Sequence, residues 1–363
     1  MKSMSKNFWK NKKVLITGHT GFKGSWLTIL LNYLGAKVAG YSLDPISHPN
    51  FFDNVGLKKL VQKDIRADIL NKEKLSKLIL NFKPTIVLHL AAQSSVLVSY
   101  KNDLETVKTN VVGTSNVLNI LKNYQFIKSC IVVTTDKVYE NFEKKIKFSE
   151  NEPLGGYDIY SSSKAACEIL TSSYIKSFFS GKKLCNVATV RSGNCIGGGD
   201  WTKNRIFKDC VQKFLNNKKL ILRNPRATRP WQHVIEPLIG YLILAEKLYK
   251  DKKNQYVGSW NFGPNLKNNL SVLQVAQYAK KRLNSISKIK IKKSKLYESQ
   301  NLSLDSKKAY NFLKWNNKLS DLESLNLTLD WYKKFYSLRN KEKFMMIDFS
   351  LKQIKDYLKK CNF

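Results

Sequence analysis

Tyr160 and Lys164 stand four residues apart in YSSSK, at the start of a segment with helical periodicity. In a helix this spacing places both side chains on one face. An ammonium beside a phenol favours the phenolate and so lowers the phenol pKa. Tyr160, as phenolate beside the Lys164 ammonium, is therefore a candidate base that removes a proton from a hydroxyl. Y-x-x-x-K is common by chance, and here it gains specificity from the segments that precede it.

A second polar group, Thr135, Asp136 and Lys137, follows the apolar run CIVV at 130–133. Open α/β sheets bind their ligands at the carboxyl ends of parallel strands. The alternative is a plain loop start. Polar residues directly after a buried strand are costly without partners, which favours a site.

The third motif is GHTGFKG at 18–24, which has the spacing G-x-x-G-x-x-G between an apolar strand and a helix. Glycines in this context permit a tight turn and close approach of the backbone to a pyrophosphate. The helix amino terminus also attracts phosphate. We predict a dinucleotide site rather than an ordinary β–α turn. The expected cofactor contacts are Gly18, Thr20, Gly21, Phe22, Lys23, Gly24, Leu90, Ala91, Ala92, Thr109, Tyr160 and Lys164.

The adenosine end of this site is less sharply defined. Asp44 is the acidic residue nearest the end of the second strand, although it stands one or two positions late. Since no Arg or Lys lies at that strand end to meet a 2′-phosphate, the sequence favours NAD over NADP. Asp64 and Ile65 are predicted at the adenine, with Asp68 as the alternative to Asp64. Each of these carboxylates could instead be a solvated turn residue.

Strands and helices alternate along the first half of the chain. Strand-type runs at 14–18, 37–43, 85–92, 130–136 and 186–194 flank helical patterns at 25–35, 103–121 and 160–178. The βαβα order predicts an α/β fold, a Rossmann-type doubly wound parallel sheet with a smaller mixed α/β substrate-binding domain. We expect a cofactor domain at 1–190, a partly interleaved substrate region at 191–340 and a helical extension at 341–363.

Composition narrows the class of protein. The net charge is +36, and lysines are spread through every segment. This pattern favours compositional drift with attraction of anionic substrates over a nucleic-acid or membrane partner. The six cysteines form no C-x-x-C pair and no zinc spacing, so no metal site is expected. Neither a secretory signal nor a membrane span is recognisable, and the cytoplasm is the expected compartment.

Longer segments resemble a known family, the extended short-chain dehydrogenase/reductases. Within it they are similar to the nucleotide-sugar 4,6-dehydratases, and above all to the CDP-glucose branch. The resemblance runs from about residue 8 to 336, and Thr-Asp-Lys departs from the commoner Thr-Asp-Glu. The segments that carry it are GHTGFKGSWL (18–27), LAAQ (90–93), TTDKVYEN (134–141), YSSSKAACE (160–168), GNCIGGGDW (193–201) and RNPRATRPWQHVIEPLIGYL (223–242).

The resemblance implies a division of chemical roles. Tyr160 would take the proton from the sugar 4-hydroxyl as hydride passes from carbon 4 to NAD. Lys137, or a water activated nearby, would remove the proton on carbon 5, and Asp136 would protonate the departing 6-hydroxyl. Hydride would then return to carbon 6. Thr135 would bond the 4-oxygen, and Lys164 would hold the nicotinamide ribose. Such a reaction serves deoxysugar and surface-polysaccharide biosynthesis.

Candidate substrate contacts lie mainly in the second half of the chain. Arg229 and Asn194 match family residues near the nucleotide diphosphate, which a planar guanidinium binds well. Arg205 and Arg223 are further candidates, for which a surface position is the alternative. His233 could serve the site, although a buried structural histidine is the expected reading. After LAA, Gln93 and Ser94 are expected at the floor of the sugar pocket.

Other functions remain open at this point. An epimerase, or a dehydratase acting on UDP-, dTDP- or GDP-sugars, shares most of these motifs, and Asp136 with Lys137 argues against a simple epimerase. From a different class, a basic nucleic-acid-binding protein could retain a Rossmann fold. Helices at 103–123 and 160–178 resemble the pair that forms a four-helix dimer interface in this superfamily. We therefore expect a homodimer or a homotetramer that binds a nucleotide sugar.

Overall fold

The computed structural model describes residues 5–141, 146–180, 184–203, 205–264, 270–292 and 302–362. The first four residues of the amino-terminal stretch and the last residue of the carboxyl-terminal extension lie outside it. The strands are β1 (Lys13–Thr17), β2 (Lys37–Ser42), β3 (Lys63–Arg66), β4 (Ile86–His89), β5 (Ser129–Val133), β6 (Asn186–Arg191), β7 (Cys195–Ile196), β8 (Leu220–Leu222), β9 (Gln232–His233), β10 (Gly258–Asn261) and β11 (Ile289–Ile291).

Helices alternate with these strands. They are α1 (Lys6–Trp9), α2 (Phe22–Tyr33), α3 (Phe51–Val55), α4 (Lys72–Phe82), α5 (Val96–Ser99), α6 (Asp103–Val107), α7 (Gly113–Leu121), α8 (Ile159–Tyr174), α9 (Ile206–Leu215), α10 (Ile235–Lys250), α11 (Val272–Arg282), α12 (Asp321–Ser337) and α13 (Met346–Lys360). A π-helical turn at Lys108–Val112 joins α6 to α7, and a second at Ile175–Phe179 continues α8.

The main sheet has seven described strands in the order β10-β6-β5-β4-β1-β2-β3, all of them parallel. The runs IVLH in β4 and SCIVV in β5 are fully buried, as helices on both faces of a parallel sheet require. The chain leaves β3 and returns to β4 beside β1. The order in which strands are added to the sheet thus reverses at β1, and such a switch point leaves a crevice at the carboxyl ends of the strands. The predicted fold class is confirmed.

The second half of the chain contributes directly to this sheet. Strand β10 pairs with β6, from Gly258 beside Ala188 to Asn261 beside Arg191. Two small parallel sheets, β8 with β11 and β7 with β9, complete the substrate half. We propose that the boundary between the cofactor domain and the substrate region lies near residue 190. Strand β10 is the element of the second part that enters the sheet of the first. No described helix is long and apolar enough to cross a membrane.

The carboxyl-terminal extension packs as a helix on the main body. Met346, Ile354 and Leu358 of α13 are buried in the same core as Trp26 of α2. Beneath the extension, Glu236 at the start of α10 accepts hydrogen bonds from the backbone N–H groups of Lys318 and Leu319 at 2.6 and 3.0 Å. Burial raises the pKa of Glu236 to about 7. A carboxyl group thus holds together α10 and the segment that leads to α12.

Substitution of this carboxyl tests its titration. The folded protein keeps a proton on Glu236 up to about pH 7, whereas the unfolded chain releases it near the ordinary value of 4.5. Stability must therefore fall as the pH rises through that interval. We expect E236Q to melt at least ~2 °C above the wild type at pH 8, and no higher than it near the ordinary carboxyl pKa. Scanning calorimetry across this pH range measures the difference.

The exposed carboxylate Glu73 on α4 provides the control, and E73Q should leave the pH dependence of melting unchanged. If the melting temperatures of the wild type and E236Q depended on pH in the same way, this would contradict the raised pKa of Glu236.

Candidate active site

A cavity of about 550 Å³ opens at the carboxyl ends of the central strands, beside the paired ends of β1 and β4. It is lined by residues from the glycine-rich turn, from the ends of β2, β4, β5 and β6, and from the start of α8. Most predicted cofactor residues border it, and they are Gly18, Thr20, Gly21, Phe22, Lys23, Gly24, Asp44, Leu90, Ala91, Ala92, Thr109, Tyr160 and Lys164. The described residues contain no His, Cys, Asp and Glu cluster able to hold a metal.

The glycine-rich turn has no room for side chains at two positions. Gly18 has a positive φ of 77°, and a Cβ there would lie 2.8 Å from the backbone N of Ala91. At Gly24 a Cβ would lie 2.2 Å from the carbonyl oxygen of Gly18. Helix α2 begins after Gly21 with no side chain capping it. The turn thus presents backbone and a helix amino terminus to the cavity, which fits a dinucleotide pyrophosphate.

At the adenosine end, the structure corrects one expectation. Asp64 and Ile65 do not line the cavity, whereas Asp68 and Ile69 do. Asp64 lies inside β3 and accepts hydrogen bonds from His19 Nε2 and Arg66 Nε, both at 2.8 Å. Ligands meet the residues that follow a strand rather than those within it. The alternative position, Asp68, is therefore the one at the cavity.

Arg66 is a cation that the sequence analysis missed at this end. Its Nη1 lies 3.2 Å from Asp44 Oδ1 and its Nη2 lies 3.5 Å from Asp53 Oδ1. Its guanidinium also stands 5.0 Å over the ring of Phe52. No Arg or Lys stands at the end of β2 itself, as the sequence indicated, but Arg66 reaches Asp44 from the neighbouring strand β3. Three carboxylates, those of Asp44, Asp53 and Asp64, nevertheless compensate this charge.

Tyr160 lies in the first turn of α8, at the cavity wall. Asp158 caps this helix by accepting from the Ser161 N–H at 3.0 Å, which fixes where the helix begins. Burial raises the pKa of Tyr160, and a hydrogen bond with Thr135 and the charges of Arg205 and Lys23 oppose the rise.

Lys164 lies one helical turn further along and lines the same cavity. Its ammonium donates to the carbonyl oxygen of Val133 at 3.1 Å, and burial lowers its pKa. The two residues thus share a face as the spacing predicted. Arg205 and Lys23 add charges near Tyr160 that the Y-x-x-x-K spacing did not indicate.

Asp136 is 3% exposed and stands at the end of β5. Thr135 Oγ1 donates to its Oδ1 at 3.0 Å. Burial raises the pKa of Asp136, while Lys137, the Thr135 hydrogen bond, Arg229 and Lys23 oppose that rise. A carboxyl group with a raised pKa keeps its proton more readily and can act as an acid. Lys137 lines the same cavity, so a candidate acid and a candidate base stand side by side.

Glu168 and Arg191 support this constellation, and the sequence analysis did not single them out. Arg191 Nε and Nη2 donate to the two carboxylate oxygens of Glu168 at 3.0 and 2.8 Å. Thr134 and Thr189 donate to the same carboxylate. Because Glu168 follows Lys164 by four residues, helical spacing was the available signal. The pair ties α8 to the ends of β5 and β6.

The predicted substrate residues separate into two groups. Those that line the cavity are Ser94, Asn194, Arg205, Arg223 and Arg229. Gln93 does not line it, because its amide bonds the backbone of Ser95 and the hydroxyl of Thr106. His233 is 0% exposed and packs 5.6 Å from the ring of Trp26. The expected place of Gln93 at the floor of the sugar pocket is therefore corrected, whereas the burial of His233 agrees with the structural role expected for it.

Known proteins resemble the chain over most of its length. The profile of the family described as GDP-mannose 4,6 dehydratase matches residues 15–326. A CDP-glucose 4,6-dehydratase from Salmonella typhimurium is 40% identical over 360 residues, which cover 98% of each chain.

Solved structures are similar in fold. The UDP-glucuronic acid 4-epimerase of Bacillus cereus, in complex with UDP-glucuronic acid and NAD, is 25% identical with a TM-score of 0.75, and the match covers 89% of this chain and 100% of that one. The dTDP-glucose 4,6-dehydratase of Bacillus anthracis, in complex with NAD, is 24% identical with a TM-score of 0.75, and the match covers 90% and 98%.

The contact between Asp44 and Arg66 makes a prediction about cofactor choice. In D44N, Arg66 loses one carboxylate at the cavity rim and gains capacity for a 2′-phosphate. We expect the ratio of the NADP and NAD dissociation constants to fall by roughly tenfold or more, since each charged hydrogen bond contributes about 1.5 kcal/mol or more. Isothermal titration of both dinucleotides measures the ratio.

D53N is the matched control, because Asp53 contacts Arg66 from outside the cavity lining. It should change the ratio by much less. An equal change of the ratio in D44N and D53N would contradict the prediction, because it would show that cofactor choice does not depend on whether the carboxylate lines the cavity.

Proposed function

The chain belongs to the GDP-mannose 4,6-dehydratase family, and we propose that it converts CDP-glucose to CDP-4-keto-6-deoxyglucose and water. One observation carries this proposal: Tyr160, Asp136 and Lys137 converge on the cavity that the glycine-rich turn borders. A dehydratase needs a base for the 4-hydroxyl, a base for carbon 5 and an acid for the 6-oxygen. The choice of CDP-glucose follows the Salmonella relative, which is similar over nearly the whole of both chains.

NAD is the cofactor that fits the glycine-rich turn. When bound, it accepts a hydride from carbon 4 of the sugar and later returns it to carbon 6. Gly18, Gly21 and Gly24 allow the backbone to approach its pyrophosphate, and the amino terminus of α2 favours the negative charge. Lys164, at the wall of the same cavity, is the residue proposed to hold the nicotinamide ribose.

Tyr160 carries the first proton transfer. Its oxygen, as phenolate, accepts the proton of the 4-hydroxyl while carbon 4 becomes a ketone. The hydrogen bond with Thr135 and the charges of Arg205 and Lys23 favour the phenolate against burial. Thr135 therefore stands where it can bond the phenol oxygen and the sugar 4-oxygen in turn. Because the product keeps its 4-ketone, the proton stays on Tyr160 until it passes to Asp136, which has given its own proton to the leaving water, directly or through solvent before the next turnover.

Asp136 and Lys137 carry the elimination of water. The 4-ketone acidifies the proton on carbon 5, and Lys137 or a water beside it removes that proton. The bond from carbon 6 to its hydroxyl oxygen breaks, and Asp136 supplies the proton that makes the leaving group water. Burial raises the pKa of Asp136, which supports this acid role. Lys137 then returns a proton to carbon 5 as carbon 6 is reduced.

Arginines in the lining of the cavity support binding of the nucleotide diphosphate. Arg205, Arg223 and Arg229 line it together with Asn194. Guanidinium groups bind phosphate oxygens in pairs, and the net charge of +36 raises the encounter rate with such an anion. We propose these residues as the diphosphate site. The product, a 4-keto-6-deoxy sugar nucleotide, suits deoxysugar and surface-polysaccharide biosynthesis.

The decisive experiment follows loss of water from a sugar nucleotide by mass spectrometry. We expect loss from CDP-glucose in the presence of NAD, with no net reduction of the cofactor. In D2O the product should carry deuterium on carbon 5, because Lys137 or its water exchanges that proton. Y160F and D136N should lower kcat by roughly 10²-fold to 10⁴-fold, whereas Y124F, outside the cavity lining, should not.

Parallel reactions with UDP-glucose, dTDP-glucose and GDP-mannose distinguish the nucleotide. Faster loss of water from one of these would keep the chemistry and overturn the choice of CDP. Loss of water from none of them, with NAD bound, would overturn the dehydratase assignment.

We also propose that the enzyme is a homodimer. Apolar side chains remain exposed on α6, on α8 and on the π-helical turn that follows each of them, at Leu104, Val107, Val112, Ile169 and Phe178. A contiguous apolar helix face of this kind is buried when two copies pack as a four-helix bundle.

Light scattering tests this association. The wild type should have at least twice the mass of one chain, and a tetramer would retain the same contact. L104E and I169E should yield monomers, because each places a charge in the apolar face. L322E is the control on the exposed face of α12. A wild-type monomer at micromolar concentration would refute the dimer.

A further inference from the structure

Lys23 belongs to the glycine-rich turn, yet its ammonium reaches the residues that follow β6. Its Nζ donates to Ser192 Oγ at 2.8 Å, across 169 positions of sequence. The Tyr241 hydroxyl donates to the same Ser192 oxygen at 2.8 Å, and Cys195 Sγ lies 3.6 Å from it. Both Lys23 and Ser192 line the cavity. This hydrogen bond therefore directs the cation along the cavity wall, toward the residues that follow β6.

The anchor of Lys23 is also the anchor of Asp136. The Asp136 N–H donates to the Ser192 carbonyl oxygen at 3.1 Å. The next residue, Gly193, lies so close that a Cβ there would stand 3.1 Å from Asp136 Oδ2. The glycine-rich turn and the candidate acid are thus connected through one short segment.

Lys23 keeps its charge in this setting. Burial alone would lower the pKa of Lys23, but Cys195, Tyr241 and Tyr160 raise it to a net value above that of an ordinary lysine. The ammonium is therefore protonated throughout the neutral range. A permanent charge of this kind acts strongly on its neighbours, because the local dielectric is below that of water.

Two groups of the proposed reaction respond to this charge. The positive charge of Lys23 opposes the burial that raises the pKa of Tyr160, and it does the same at Asp136. The other groups that act on Tyr160 are the Thr135 hydroxyl, Arg205 and Asp136. Those acting on Asp136 are Lys137, Thr135 and Arg229. Among the described residues, Lys23 is a cation that acts on both groups.

We propose that Lys23 is a positioning residue for the reaction, which places a fixed positive charge beside Tyr160 and Asp136 and links the cofactor-binding turn to the catalytic groups. This inference rests on the proposed function and adds to it a role for a residue that sequence alone assigns to the pyrophosphate. The charge favours the phenolate that accepts the sugar proton. It also limits how readily Asp136 holds its own proton, so both ends of the pH optimum depend on Lys23.

The direct test observes Tyr160 without substrate or cofactor. Protein labelled with ¹³Cζ-tyrosine is titrated by NMR, and the Tyr160 resonance is the one that Y160F lacks. K23M should move the titration of Tyr160 to higher pH by roughly one unit, the effect of one charge several ångströms away at an intermediate dielectric. K23R keeps the charge and should move it little. K58M, which removes an exposed lysine, is the control for net charge.

A second measurement separates this role from simple cofactor binding. In K23M the whole pH profile of kcat should move to higher pH, because the pKa of Tyr160 and the pKa of Asp136 rise together. If K23M weakens NAD binding in isothermal titration while the Tyr160 titration stays in place, Lys23 is a pyrophosphate counterion and the proposal is overturned.

If the melting curve of K23M shows that this variant does not fold, a second variant carries the test. S192A then serves instead, because it removes the anchor and keeps the charge. A smaller upward shift of the Tyr160 titration supports the proposal, and an unchanged titration overturns it. Failure of the wild type to dehydrate any sugar nucleotide would overturn the proposed function, but the NMR titration would still decide whether Lys23 acts on Tyr160.

Discussion

The buried ion pair between Glu168 and Arg191 is the interaction on which the active-site end of the sheet depends. The side chains are 3% and 2% exposed, and each carboxylate oxygen accepts from the guanidinium. Removal of one partner would leave an uncompensated buried charge, at a cost of about 3–5 kcal/mol. Thr134 and Thr189 satisfy the remaining acceptor capacity of Glu168. One helix and two strand ends are therefore held in a single arrangement.

The network extends from this pair into the second half of the chain. Arg191 Nη1 donates to the Tyr139 hydroxyl at 2.6 Å, and that hydroxyl donates to Asn261 Oδ1 of β10 at 2.8 Å. The Asn261 amide in turn bonds the carbonyl oxygens of Phe148 and Asp305. Because these bonds are buried, each leaves an unsatisfied group if its partner moves. The two halves thus share one polar core beneath the cavity.

This network of buried bonds fixes the positions of the charged groups that line the cavity. Asp136 stands on a buried strand end, where burial raises its pKa, while Lys23, Lys137 and Arg229 pull the pKa down. Tyr160 experiences the same opposition of burial and cations. Preorganised charges of this kind contribute to catalysis because they need not reorganise as the reaction proceeds. The reactivity of both groups therefore depends on the distances that the frame maintains.

Local patterns in the sequence determined the alternation of strands and helices, the glycine-rich turn, the shared face of Tyr160 and Lys164, and membership of the family. Each depends on residues a few positions apart, whose geometry the backbone dictates. Tertiary structure alone decided that Asp68 rather than Asp64 meets the cavity, that Arg66 stands beside Asp44, and that the Gln93 amide bonds Ser95 and Thr106 instead of lining the cavity. It alone brought Lys23 to Ser192. These contacts join segments that are distant in sequence, and only the packing of strand ends against one another brings them together.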